Sequence, residues 1–200
     1  MPAIFMCVLL LTILYQYKLR KIEQEEQKKE DEYLKRERKA SLPIKRSLDD
    51  LDYFVISMNT LPFHKDATGR LATIQQTVTD LSKEKICNLT GISNTDLKLK
   101  YGANNLKLLS HYDENYSILL RTLAEWSEQL FREDFEADAI HIAQYAIQCN
   151  TDVKKTYTTL AHIYKKQGNL EKLYALLPVA ETNSGMIDLK KAIYDVINEC

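Results

Sequence analysis

The sequence predicts an all-α protein, and three observations carry that expectation. Five glycines and four prolines in 200 residues supply too few turn-makers for a many-stranded sheet. Residues 18–40 contain neither Gly nor Pro and consist largely of Glu, Lys, Gln and Arg, all good helix formers. From Arg70 onward apolar residues recur at helical spacing, as in Leu71, Ile74, Val78 and Leu81. The length fits one domain with appendages and a real core.

Residues 1–17 carry no charged side chain, and Ala3 to Tyr15 is almost wholly apolar, which reaches the lower end of spanning length, about 17 residues. A secretory signal would need a basic start and a small-residue cleavage site. This run begins Met1-Pro2 and passes straight into Lys18, Arg20 and Lys21. We therefore expect a single uncleaved transmembrane helix over 1–17, with Tyr15 and Tyr17 at the lipid boundary. The basic cluster keeps the C-terminal side cytoplasmic. Charge agrees with a membrane surface: residues 18–46 hold eleven Lys/Arg against seven Asp/Glu, and residues 47–200 hold sixteen against twenty-one. A nucleic-acid binder would carry its basic excess on the folded part, so no nucleic-acid partner is expected.

Residues 18–46 read as a charged helical stalk. Glu25 with Lys29, Asp31 with Lys35 and Glu32 with Arg36 stand in the favourable acid-before-base order, each pair worth about 0.2 to 0.5 kcal/mol. At about 1.5 Å per residue the stalk would hold the domain roughly 35 Å from the bilayer, until Pro43 stops it. Residues 47–112 then read as an irregular arm with N-terminal capping helices. The β-prone run Tyr53-Phe54-Val55-Ile56 and the break Leu61-Pro62-Phe63 come first, and Gly91 and Gly102 punctuate the remainder. Leu89, Ile92, Leu97, Leu99, Leu106, Leu108 and Leu109 are its packing material.

Residues 113–200 carry a repeat. Aligning 120–153 with 154–187 sets Leu123 against Tyr157, Trp126 against Leu160, Ser127 against Ala161 and Leu130 against Tyr164. Ala139 then meets Leu173, Ala143 meets Leu177 and Ala146 meets Ala180. The first four fall on one helical face and the last three on the next, with Asp134 or Gly168-Asn169 at the bend between them. Small residues at Ala143 and Ala146 suit helix crossings, where backbones approach and bulky Trp126 and Tyr164 fill the gaps. Met186, Leu189, Ile193 and Val196 form the stripe of a C-terminal capping helix.

This period and pattern resemble the tetratricopeptide family, over roughly 70 residues. The second copy is the better match, through Tyr157, Leu160, Ala161, Tyr164, Gly168, Leu177 and Ala180, although Leu173 stands where the family has a small residue. The first copy lacks a Gly at its bend, and neither copy ends in the frequent Pro. The layout also resembles membrane-anchored repeat proteins of Gram-positive bacteria, a likeness that implies no activity. The tetratricopeptide resemblance implies a concave, peptide-binding face. Carried over residue by residue, it is Arg121, Ala124, Glu128, Phe131 and Arg132, then Lys155, Thr158, His162, Lys165 and Lys166. Five basic residues to one acid would favour an acidic segment or a terminal carboxylate, although the clamping Asn residues of some family members are missing.

Catalytic signatures are not found. His64, His111, His141 and His162 form no H-E-x-x-H pair, and there is no phosphate loop and no G-x-S-x-G elbow. Cys7, Cys87, Cys149 and Cys200 lie too far apart to begin a zinc site and read as reduced thiols. Asn88-Leu89-Thr90 and Asn115-Tyr116-Ser117 match the glycosylation pattern, which a cytoplasmic domain would never have read. The expectation is a non-enzyme without metal, cofactor or small-molecule substrate: a membrane-tethered adaptor or assembly factor. The alternative is a structural subunit packed permanently in a membrane complex.

Overall fold

The computed structural model describes residues 2–183 and 188–199, without the side chains of residues 2–5 and 7–13. Among the described residues there are eight α-helices and one two-stranded ladder, so the chain is predominantly helical as its composition requires. It divides into two compact units: Met1–Asp50 with Gly91–Leu108, and Leu51–Thr90 with Leu109–Cys200.

The first unit is built on α1 (Pro2–Ala40) and α3 (Asn94–Tyr101). No helix among the described residues is long and apolar enough to cross a membrane. The anchor expected over 1–17 rests mainly on side chains outside the described residues. Helix α1 ends three residues before Pro43, because a residue preceding proline is pushed out of helical conformation and the chain leaves the helix early. The expected solvated stalk needs correction at this end. None of the three i,i+4 pairs forms a salt bridge; Arg36 turns instead to Asp96. Glu37 accepts from the Thr95 hydroxyl and pairs with Lys98 at 3.5 Å. Ser93 caps α3 by accepting from the Asp96 amide at 3.2 Å, which places Asp96 where Arg36 can reach it. The irregular segment after Ala40 then docks on the end of α3. The Arg46 amide donates to the Tyr101 carbonyl at 3.0 Å, and buried Asn105 donates to the carbonyls of Arg46 and Tyr101 at 2.7 and 2.8 Å. Gly102 is obligatory here: its φ is 90°, and a Cβ would stand 2.1 Å from the Ile44 carbonyl oxygen.

In the second unit the arm forms β1 (Tyr53–Phe54), paired antiparallel with β2 (Ile86–Cys87), so the β-prone run contributes only its first two residues. Helix α2 (Gly69–Leu81) buries the expected Leu71, Ile74, Val78 and Leu81. Its Gln75 amide faces the His64 backbone, and in the orientation that satisfies both groups it donates to the carbonyl at 3.0 Å and accepts from the amide at 2.9 Å. Of the packing residues expected between Leu89 and Leu109, Leu89, Leu97 and Leu109 are buried, whereas Ile92 and Leu108 are exposed.

The remaining helices are α4 (Leu106–Arg132), α5 (Glu136–Gln148), α6 (Lys154–Lys166), α7 (Leu170–Asn183) and α8 (Leu189–Asn198). Helix α4 runs unbroken through the expected boundary at 112/113, so the first repeat begins inside a longer helix. The 34-residue offset is visible in the backbone. Arg132 and Lys166 end their helices, Asp134 and Gly168 adopt φ of 63° and 66°, and Glu136 and Leu170 start the next. The bends close in the same way, with the Phe135 amide on the Leu130 carbonyl and the Asn169 amide on the Tyr164 carbonyl, both at 2.9 Å. Every aligned repeat residue is buried except Leu177, which is half-buried while Leu176 takes the inward place.

Two clusters make the core of this unit. One joins Trp126, Leu123 and Leu130 of α4 with α2, β2 and α5, and Phe63 of the arm meets the Trp126 ring edge-on at 4.9 Å. The other joins Tyr157, Leu160 and Ala161 of α6 with Leu173 and Ala180 of α7 and with Leu189, Ile193 and Val196 of α8. Helix α8 therefore packs on α6 and α7 through Leu189, Ile193 and Val196 of the expected stripe; Met186 lies outside the described residues.

Candidate functional site

An open cleft of about 650 Å³ lies where the end of α4 meets α6, lined by Glu128, Phe131, Arg132, Lys154, Lys155, Thr158, Thr159 and His162. Helical spacing puts Glu128, Phe131 and Arg132 on one face of α4, and Lys155, Thr158, Thr159 and His162 on one face of α6. Six of the nine expected binding residues, Glu128, Phe131, Arg132, Lys155, Thr158 and His162, are thus brought together.

The other three do not line it, so the five expected cations do not all converge there. Lys165 points to the end of α8, where its ammonium donates to the carbonyls of Val196 at 2.7 Å and Glu199 at 2.5 Å. A helix C-terminus carries unsatisfied carbonyls and partial negative charge, so it draws the lysine away from the groove. Lys166 bonds Glu136 at 2.6 Å, approaches Asp134 at 3.7 Å and lies over the Phe131 ring, 5.5 Å from its centre. Arg121 folds back to its own helix, donating to the Ser117 carbonyl at 3.2 Å. Ala124, carried over with them, is buried. The cleft also contains Lys154 and Thr159, which the repeat pattern skips. A Lys-Lys pair opening α6 was the signal that could have found Lys154.

The centre of the cleft is an ion triad. One Glu128 carboxylate oxygen accepts from Arg132 at 2.6 Å and the other from Lys155 at 2.7 Å, which ties α4 to α6. Hydrogen bonding from Lys155, then from Arg132, outweighs partial burial and holds the Glu128 carboxyl below its ordinary value. Lys154 makes no ion pair among the described residues. His162 Nδ1 stands 3.7 Å from the Glu199 carboxylate at the far edge. Phe131, half-buried, adds apolar surface.

Chemically the cleft sets three cationic side chains and one carboxylate beside the half-buried Phe131 ring. The Thr158 hydroxyl is committed to the Lys155 carbonyl at 3.1 Å, so it is not presented to a base. Among the described residues no cluster of His, Cys, Asp and Glu could hold a metal ion. Cys87 and Cys149 are buried, and burial pushes both thiols up, away from reactivity. Compared with protein families, curated proteins and solved structures, the chain matches none.

Proposed function

We propose that this chain is a membrane-tethered interaction module, an adaptor or assembly factor, whose paired helix hairpins act as tetratricopeptide-like units and hold an acidic peptide segment of a partner. One observation carries the reading: two hairpins offset by 34 residues contribute Arg132, Lys154 and Lys155 to one cleft around half-buried Phe131. Three cations against Glu128 leave an excess of positive charge, and that field attracts an acidic ligand. The tether rests on the apolar run of residues 1–17, with the basic cluster from Lys18 keeping the hairpins on the cytoplasmic side. That α1 continues as one helix from Pro2 to Ala40 is compatible with it.

Fluorescence anisotropy of the full chain in detergent, with labelled hexaglutamate and hexaglutamine, tests the reading. Hexaglutamate is expected to bind more tightly, to weaken as salt approaches 1 M, where screening acts within about 3 Å, and to be lost in Lys154→Glu/Lys155→Glu. Equal affinity for the two peptides refutes the basic cleft. The structural-subunit alternative draws on Leu170 and Tyr174, exposed one turn apart on α7. A stoichiometric, salt-resistant complex recovered from membranes would put it ahead.

A further inference from the structure

We infer that Glu128 is an internal stand-in for the ligand's carboxylate, and that it makes the cleft select segments with clustered acidic residues over a single carboxylate. The inference rests on the acidic-peptide reading above. Glu128 already fills the place such a ligand would take, accepting from Arg132 at 2.6 Å and Lys155 at 2.7 Å. It stands one turn from the C-terminal end of α4, where the helix dipole disfavours an acid. The two cations therefore hold it there, not the helix.

An incoming carboxylate competes with one attached to the same scaffold and present at high effective concentration. A lone carboxylate gains nothing from the exchange, since it replaces one ion pair with an equal one and loses its own freedom. A segment with several carboxylates also reaches Lys154, which has no acidic partner among the described residues. That extra foothold decides the competition. Neighbouring acids are thus required by the arrangement of the cleft, and Glu128 sets the threshold.

The test uses the full chain with three labelled probes: hexaglutamate, hexaglutamine with a free C-terminal carboxylate, and amidated hexaglutamine. In the wild type only hexaglutamate is expected to bind. Glu128→Gln removes the competing charge while keeping the side-chain shape. It should tighten hexaglutamate roughly tenfold or more and allow the free-acid hexaglutamine to bind above its amidated form. Glu128→Ala is carried in parallel, with circular dichroism on both, so the result does not depend on one variant's folding. If the wild type binds hexaglutamate and both well-folded variants bind it no more tightly, Glu128 is a structural bridge and the inference falls. If neither wild type nor variant distinguishes hexaglutamate from hexaglutamine, the cleft reading falls and takes the inference with it.

Discussion

Single residues with unusual backbone or burial give the sharpest expectations. Asp134 and Gly168 occupy equivalent left-handed positions, yet only one is glycine. An L-residue with a Cβ is strained there, and aspartate tolerates the conformation without being relaxed in it. Asp134→Gly should therefore stabilise the fold by about 0.5 to 1 kcal/mol, and Gly168→Ala should destabilise it by about 1 kcal/mol. Nothing lies near a Gly168 Cβ, so that cost is conformational, and urea denaturation of both variants measures it. Burial pushes the Cys149 thiol up from 9.0 to about 11 and the Tyr116 phenol up from 10.0 to about 12. The folded chain then holds these protons more tightly than the unfolded one. The stability they contribute is whole below pH 9 and is lost as pH rises through 11 to 12. Melting temperature should fall from pH 9 upward, and less steeply in Cys149→Ala. Parallel curves for the two proteins would show that Cys149 does not titrate in this way.

Whole elements respond where helices meet. Ala139, Ala143 and Ala146 line the inner face of α5 with no exposed surface, so no room is left for a larger side chain. Ala143→Leu should overpack the crossing and cost about 1 to 3 kcal/mol; an unchanged melting curve would show the repeat register to be misread. Helix α8 is held by its apolar stripe and by Lys165 on its last carbonyls. Lys165→Met should cost about 1 to 2 kcal/mol, whereas Lys154→Met, at an exposed position with no ion pair among the described residues, should stay within about 0.5 kcal/mol. Equal small losses would mean that the cap contributes nothing measurable. The contrast separates two lysines that look alike in sequence: one belongs to the fold, the other to the cleft.

For the whole molecule the open expectation is topology, and an exposed sequon can report it. Asn88 is exposed, while Asn115 is buried and donates to the Lys85 carbonyl at 3.0 Å. Translation of the chain with microsomes should leave Asn88 unmodified if the second unit stays cytoplasmic. An endoglycosidase-sensitive shift that disappears in Asn88→Gln would place it on the opposite side. The helical class, the 34-residue period, the bends at Asp134 and Gly168, and the faces that become core were all legible in the order of residues. Each depends on local conformational preference or on the spacing of apolar side chains, which act over a few residues. Six of the eight cleft residues were legible for the same reason: a repeat places its faces by period alone. Where the long cations go was set by packing between distant segments. Arg36 leaves Glu32 for Asp96, Lys165 turns to the end of α8, Lys166 takes Glu136, and Lys154 joins the cleft. A flexible charged side chain has several partners within reach, and remote parts of the chain supply the one it takes.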